Sequence, residues 1–490
     1  MGSMEHLDMP GGSQTMKNPY RDVDRRIVAE VYTSSTLFDN LEVLCDVYGS
    51  RATGSPEDFG AVEWIVETLK GYGVENAHYE PFDVPGWFRG PAKLEVVDPI
   101  SKELDCISLP MGLAGQAEGR LVFLGDGEIS SYEDRKDEIE GNIVMVTSRN
   151  PLGLERPMHR SEKYMRSVMA GAKGWIFMNH YPAYGPPTGS ISPIIPAVGV
   201  SHEEGSFLTR LLDREGDVDV RITTTDQNKV VETYNVICDV GGSTDEEYVL
   251  VGCHYDGHDI SQGALDPASG AVIVMEMARL FNDAVDGGLK RRLRLVLFGG
   301  EETGLFGSHH YVDRHEEELA SLRFMLNLDA AGRDGDKGIL LHGQPRLEPF
   351  IKAAADEASI EIPLLQKVRP YSDHWPFFLK GVPCGSAGDP EDLRKKGGRG
   401  YGHTRYDTVD KVKMSDLREA AANYSRLILR MANADEWPGE RKSQEEIDAF
   451  IEEVGFQETV ALVEKTKEYV KTWEEIPPET QAWLETKADW

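Results

Sequence analysis

Residues 252–270 read GCHYDGHDISQGALDPASG, so one short, turn-rich segment combines histidines with carboxylates. The run EEYVLVG before it is apolar and β-branched over the length of a strand, and AVIVMEMARLF after it has the length of a helix. His254 therefore follows the carboxyl end of a strand, where open α/β sheets bind their ligands. Asp266 and Pro267 are predicted to be an N-cap and the first helical residue. The segment predicts an α/β fold and half of a metal site.

Three further segments each bring a metal-binding side chain to the end of a strand or into a loop. LRLVLFGGEETG is a strand followed by Glu301 and Glu302, RFMLNLDAAG ends its strand at Asp329, and YGHTRYDTVDKV places His403 beside a glycine. Histidine nitrogens and carboxylate oxygens are ordinary zinc ligands. The combined set is large enough to hold two divalent ions that share a water.

The motifs HYD, LDPASG, GGEETGLFGS, NLDAAG, SDHWPFFLKGVP and GHTRYDT occur in the order found in the di-zinc peptidase family M28, which this chain resembles. The resemblance extends from about Arg21 to Asn433 and includes GSRATGSPE near the amino terminus. It implies a mixed-sheet zinc-exopeptidase fold, that is, a phosphorylase/hydrolase-like α/β/α sandwich.

The same resemblance implies the ligands of two metal ions, most simply Zn²⁺. His254 and Asp329 are expected to bind one ion, Glu302 and His403 the other, and Asp266 is expected to bridge them. Such an arrangement activates a water and stabilises a tetrahedral intermediate.

Further roles follow from the same comparison of motifs. Glu301 is expected to be the general base, and Asp256 is expected to orient the histidine two residues before it. His258 and Asp259, in the same loop, are expected to be solvated. Where many relatives carry an oxyanion-stabilising tyrosine, this chain has Gly402. Tyr401, Tyr406 and Tyr371 are the candidates to replace it, and Tyr371, Tyr401 and Arg405 are predicted to contact substrate.

The 490 residues are enough for two or three domains. Between residues 112 and 228 short strands alternate with Gly and Pro turns, with one helix expected around SEKYMRSVMAGAKG. This segment resembles a mainly-β protease-associated (PA) domain inserted into a catalytic domain, either as a spacer or in contact with substrate. The expected divisions are a disordered leader at 1–16, catalytic parts at 17–111 and 229–435, the insert at 112–228, and a helical extension at 436–490.

The C-terminal extension begins with an amphipathic stripe formed by Ile447, Phe450, Ile451 and Val454. The stripe is expected to pack on the body or on a second copy, so a homodimer through these helices or through the catalytic domain stays open. Its acidic polar face argues against a membrane. A second helix is expected at 458–473.

Charge and composition exclude several classes of protein. The chain has 52 basic and 84 acidic residues, a net charge of −32, whereas nucleic-acid binding needs a basic patch. Five widely spaced cysteines form no disulfide or zinc-finger framework. No apolar run has transmembrane length and no signal-peptide pattern is present. A cytoplasmic location is the default expectation, with secretion open if a native signal peptide was removed.

The sequence therefore predicts a di-metal amide-bond hydrolase acting on a peptide or a small amide, and an aminopeptidase first of all. A glutamate-type carboxypeptidase or dipeptidase is an alternative, and it would need arginines for a substrate carboxylate. Hydrolysis of a non-peptide amide is another. Outside this class, the alternatives are a catalytically inactive binding module on the same fold and a single-zinc cyclising enzyme.

Overall fold

The computed structural model describes residues 18–463 apart from 155, 243, 284–287 and 389–399. The leader expected at 1–16 lies outside the described residues. Of the second C-terminal helix, expected at 458–473, only the helical part at 457–463 lies within them.

Two eight-stranded sheets organise the chain. The strands of the first sheet are β1 (His78–Phe88), β10 (Gln227–Val240), β11 (Thr244–His254), β12 (Arg291–Phe298), β13 (Leu322–Asn327), β14 (Gly338–Leu341), β15 (Leu364–Gln366) and β16 (Cys384–Gly388). Their order is β1-β10-β12-β11-β13-β16-β14-β15, and β12, β11, β13 and β16 run parallel. Strands β12 and β13 are buried along nearly their whole length because both faces of a parallel sheet are covered.

Helices cover this sheet, which confirms the predicted α/β fold. The helices of the chain are α1 (Arg21–Thr33), α2 (Thr36–Glu42), α3 (Pro56–Gly71), α4 (Ile129–Asp134), α5 (Lys136–Ile139), α6 (Arg160–Met169), α7 (His202–Glu215), α8 (Ser269–Asp283), α9 (Glu301–Gly304), α10 (Phe306–Arg314), α11 (Leu347–Ala358), α12 (His374–Leu379), α13 (Met414–Asn433) and α14 (Gln444–Glu453). Helix α8 contacts β11, β12 and α13 and is buried on almost every side, so the main core lies around it.

The second sheet belongs to the insert. Its strands are β2 (Ala92–Asp98), β3 (Lys102–Leu104), β4 (Cys106–Ser108), β5 (Gly115–Phe123), β6 (Ile143–Thr147), β7 (Gly174–Met178), β8 (Ala197–Val200) and β9 (Asp219–Thr224), in the order β3-β2-β9-β5-β6-β7-β8-β4. Strand β2 pairs with β9, so the residues from Ala92 onward lie with the insert. The boundary expected at residue 112 is therefore too late, because strand pairing across the insert is not visible in local sequence.

Helices α4 to α7 accompany the second sheet, where the sequence predicted one helix. The predicted helix is α6. Helix α7 was missed, although Ser201 caps it by accepting from the backbone amide of Glu204, and Leu208 and Leu211 form its buried stripe.

The insert joins the first sheet through two neighbouring strands. Strand β1 pairs antiparallel with β10 along its whole length, from His78 opposite Ile237 to Phe88 opposite Gln227. The chain thus leaves the first sheet and returns to it at the same place.

The C-terminal extension packs on the body of the same chain. Helix α14 buries Ile447 and Ile451 beside α12, and Ser443 forms a capping box at its start. Beyond it, Glu458 pairs with Arg166 of α6 at 3.0 Å. None of the helices in the described ranges combines the length and the apolar character needed to cross a bilayer.

Candidate metal centre

The carboxyl ends of three adjacent parallel strands meet at one edge of the first sheet. His254 ends β11, Glu301 and Glu302 follow β12, and Asp329 follows β13. Ligands of open α/β sheets bind in the crevice outside these strand ends. The strand order alone therefore brings together side chains that are far apart in the sequence.

The first group of side chains surrounds the imidazole of His254. Its Nε2 lies 3.4 Å from Oδ1 of Asp266, 3.5 Å from Oδ1 of Asp329 and 3.9 Å from Oε2 of Glu301. Its Nδ1 lies 2.9 Å from the backbone oxygen of Asp256. A proton on Nδ1 donated to that oxygen leaves the Nε2 lone pair for a metal ion.

The second group lies on the other side of Asp266. Oε2 of Glu302 lies 3.4 Å from Nε2 of His403, and Oδ2 of Asp266 lies 3.8 Å from the same nitrogen. Asp266 thus directs one carboxylate oxygen toward each histidine, as a bridging ligand must.

Both groups have the chemistry of a divalent-ion site. Nε2 of His254, Oε1 of Glu302 and Oδ1 of Asp329 are buried and have no hydrogen-bond partner among the residues that the structure describes. A buried polar atom without a partner costs about 1–3 kcal/mol. The 3.4–3.5 Å separations of the ligand atoms match the edges of about 3.3 Å expected for a tetrahedron with zinc–ligand bonds of about 2.0–2.1 Å. The residues present therefore fit two metal ions.

The carboxylate of Asp256 holds the turn that carries the glutamate pair. Its Oδ1 accepts from the backbone amide of Glu301 at 3.0 Å, and its Oδ2 accepts from that of Glu302 at 3.2 Å. Oδ1 also lies 3.6 Å from Nδ1 of His254. The carboxylate therefore fixes Glu302 together with the predicted base, whereas His254 is held by the backbone oxygen of Asp256.

Two supporting residues were not identified from the sequence, although both lie in quoted motifs. Asp407, in GHTRYDT, accepts from the backbone amides of Leu265 at 2.7 Å and of Asp266 at 3.1 Å. Ser372, in SDHW, donates its hydroxyl to Oδ2 of Asp329 at 2.9 Å. These bonds orient two of the carboxylates.

The predicted N-cap role of Asp266 stays a prediction. Its backbone is extended, with φ −127° and ψ 96°, at the kink before α8, and an N-cap residue has such a backbone. Its two carboxylate oxygens face the histidines.

The expectation that His258 and Asp259 are solvated is wrong for His258. The His258 side chain is buried, and its Nε2 lies 2.9 Å from Oε2 of Glu302 and 3.1 Å from Nδ1 of His403. Asp259 stays at the surface and pairs with Arg89 at 2.7 Å.

The insert contacts the second group directly. The backbone amide of Thr188 donates to the oxygen of His403 at 2.9 Å, and the oxygen of Thr188 lies 3.3 Å from Nδ1 of that ring. The hydroxyl of Ser190 donates to the backbone oxygen of Glu302. A guanidinium nitrogen of Arg160 lies 3.3 Å from Nδ1 of His403. The insert therefore contacts residues of the second group, while its role as a lid or spacer or in direct contact with substrate stays a prediction.

The three predicted substrate contacts lie around this region. Tyr371 is half-buried next to Ser372, and its ring stacks on His159 of the insert with centroids 4.7 Å apart. Tyr401 is 37% exposed and lies 5.1 Å from the ring of Tyr184. Arg405 is exposed. Their contact with substrate stays a prediction.

Comparison with known proteins agrees with this geometry. Residues 235–428 match the sequence profile of peptidase family M28, and residues 115–208 match that of the PA domain. Over residues 235–428 the chain is similar to peptidase family M28. The matched M28 segment contains all five expected ligands and Glu301.

Proteins similar to this chain include both an aminopeptidase and carboxypeptidases. Bovine (Bos taurus) carboxypeptidase Q is 26% identical over 85% of this chain and 90% of its own length. Aminopeptidase YwaD of Bacillus subtilis is 28% identical over 67% of this chain and 71% of its own length. The crystal structure of a peptidase M28 precursor from Shewanella amazonensis superposes with a TM-score of 0.74 at 24% identity and covers 86% of this chain and 98% of the other. This last likeness shows the shared fold.

Proposed function

We propose that this M28 peptidase is a di-zinc exopeptidase with aminopeptidase activity, and that Glu301 is its general base. The observation that carries the proposal is Asp266, whose two oxygens face His254 and His403 at 3.4 and 3.8 Å. A carboxylate placed between two ligand groups supports a paired-ion site.

The proposal assigns each side chain a task in binding the ions. His254, Asp329 and one oxygen of Asp266 would hold the first ion, and Glu302, His403 and the other oxygen would hold the second. When bound, the ions supply Lewis-acid polarisation of the scissile carbonyl and lower the pKa of the attacking water.

Glu301 has the location and the environment of a proton carrier. It is largely enclosed, and its Oε2 lies 3.9 Å from Nε2 of His254. Burial raises the pKa of Glu301 well above its ordinary value, and the attraction of His254 offsets only part of this effect. A carboxylate with a raised pKa is a better acceptor for a proton from water. As the carbon–nitrogen bond breaks, the same carboxyl group returns that proton to the leaving amine.

A carboxypeptidase or dipeptidase is the second candidate, because two arginines approach the ligands. A guanidinium nitrogen of Arg333 lies 3.1 Å from Oδ2 of Asp266, and Arg160 reaches His403 from the insert. Arginine binds carboxylates in a bidentate geometry. If the two arginines bound a substrate carboxylate in place of Asp266 and His403, the enzyme would prefer free dipeptides.

Substrate chemistry separates the candidates. The protein should be loaded with zinc and assayed on aminoacyl anilides, free dipeptides and amino-terminally blocked dipeptides, with and without a chelator. Chelator-sensitive release from the anilides supports the aminopeptidase. Cleavage of free dipeptides but not anilides favours the dipeptidase, and cleavage of blocked dipeptides favours the carboxypeptidase. A zinc-loaded protein that cleaves none of these would contradict exopeptidase function.

A further inference from the structure

His258 is an imidazole that the expected ligand set leaves without a role. It is 5% exposed, and its Nε2 lies 2.9 Å from Oε2 of Glu302. The same nitrogen lies 3.1 Å from Nδ1 of His403, and the two rings meet edge to face with centroids 4.3 Å apart. It therefore touches both terminal ligands of the second ion.

The position of His258 is fixed from both sides of its loop. On one side, Asp259 forms two hydrogen bonds of 2.7 Å with the guanidinium of Arg89. On the other, the backbone amide of Gly257 donates to the oxygen of Ser50 at 2.8 Å. A side chain held this way is pre-organised for binding.

Arg51 also constrains the loop that carries His258. It is fully buried and donates to the backbone oxygens of Tyr255 at 2.6 Å, Gln262 at 3.0 Å and Gly263 at 3.2 Å. These acceptors precede and follow His258 in the same loop. The guanidinium of Arg51 thus holds the two ends of the loop together, with the His258 imidazole between them.

We propose that His258 is a ligand of the second metal ion, together with Glu302, His403 and the bridging Asp266. Four protein ligands satisfy tetrahedral zinc, whereas a site with three keeps an open position. The two ions would then differ in their protein ligands: four side chains would hold the second ion, and three would hold the first ion beside Glu301. A water shared by both ions remains compatible with this set, because zinc can expand to five ligands.

The contact with Glu302 has one other explanation, in which Nε2 of His258 only donates a hydrogen bond to that carboxylate. Its 2.9 Å length suits such a bond. Glutamine at position 258 would preserve an N–H donor but would not replace the imidazole as a ligand. The two explanations therefore predict different behaviour of His258→Gln.

Zinc affinity is the first measurement, made by competition with a chromophoric chelator on the full chain. His258→Ala and His258→Gln should both bind one of two zinc ions more than about 100-fold more weakly, beyond the roughly 10–100-fold that loss of an orienting partner costs. The matched control is His78→Ala, which removes an exposed histidine. Affinity restored by glutamine would overturn the proposal.

A crystal structure of the zinc-loaded wild type is the second measurement. Nε2 of His258 should lie about 2.0–2.1 Å from the second zinc. A zinc ion bound without His258 overturns the proposal, and so does a wild type that takes up no second zinc. The proposal rests on the metal-binding part of the proposed function, but neither readout requires turnover. A doubly loaded protein with His258 bound and no peptidase activity would contradict only the exopeptidase.

Discussion

The backbone amide of Glu301 donates a 3.0 Å hydrogen bond to Oδ1 of Asp256. The neighbouring amide of Glu302 uses the other oxygen of the same carboxylate. Asp256 thus couples the loop after β11 to the turn after β12, and one side chain sets the distance between a metal ligand and the base.

Asp256→Asn should weaken the site without unfolding the protein. Both carboxylate oxygens accept from backbone amides, so asparagine must turn its NH₂ group toward one of those donors. We expect about a 10–100-fold loss in zinc affinity or kcat/KM. Asp356→Asn, at an exposed helical position, is the control. If the two variants had the same zinc affinity and kcat/KM, Asp256 would not be a positioning residue.

Glu301→Gln should abolish turnover while two zinc ions stay bound. The amide cannot accept the proton of water, and general-base catalysis contributes about 10²–10⁴-fold to the rate. Steady-state kinetics and elemental analysis measure the two properties on the same sample. Glu317→Gln, at an exposed position, should match the wild type. A Glu301→Gln protein with full activity would place the base elsewhere.

Zinc binding should release protons, and its affinity should rise with pH. Burial lowers the pKa of His254, but Glu301, Asp256, Asp266 and Asp329 together raise it well above 6.5. A raised pKa makes protons compete with zinc for this imidazole over a higher pH range, because the nitrogen that binds zinc must lose its proton. Calorimetric titration in two buffers of different ionisation enthalpy counts the released protons. A binding enthalpy that does not depend on the buffer would contradict proton release.

Glu162→Gln should destabilise the protein at neutral pH. Glu162 is buried between Arg156 at 2.8 Å and Arg166 at 2.9 Å, and it accepts from the hydroxyl of Thr459 at 3.1 Å. Removing one charge from a buried pair costs about 3–5 kcal/mol. Urea unfolding measures the difference. Glu138→Gln, in an exposed pair with Arg135, should cost less than about 1 kcal/mol.

Acid should reduce the effect of Glu162→Gln. Burial alone would raise the pKa of Glu162, but hydrogen bonds and charge from Arg156 and Arg166 lower it below 4.5. A carboxyl group whose folded pKa is lowered stabilises the fold above the unfolded value of about 4.3 and loses that contribution as the pH falls through the folded pKa. The difference in the free energy of unfolding between wild type and Glu162→Gln should therefore shrink as the pH falls below about 4.3. A gap that stays constant would show that lost packing, not charge, is the cause.

Sequence predicted the parts of the site that are set by local pattern. Strands ending in His254, Glu301 and Asp329 are recognisable because apolar runs stop at polar residues, and the sheet order then brings them together. The burial of His258 was missed because it depends on Arg51 and Arg89, which approach from distant parts of the chain. Local sequence also did not reveal that the backbone amides of Leu265 and Asp266 donate to Asp407, because Asp407 lies far along the chain.

Phe88 and Gln227 lie opposite each other where the insert begins and ends. A short hairpin could join them, so the gene segment between them could be gained or lost in evolution without rearranging the first sheet. The segment nevertheless supports the metal centre: Thr188, Ser190 and Arg160 contact the ligands, and Thr459 ties the C-terminal extension to it. A segment that the first sheet does not need for its own strand order is thus part of the surroundings of the metal site.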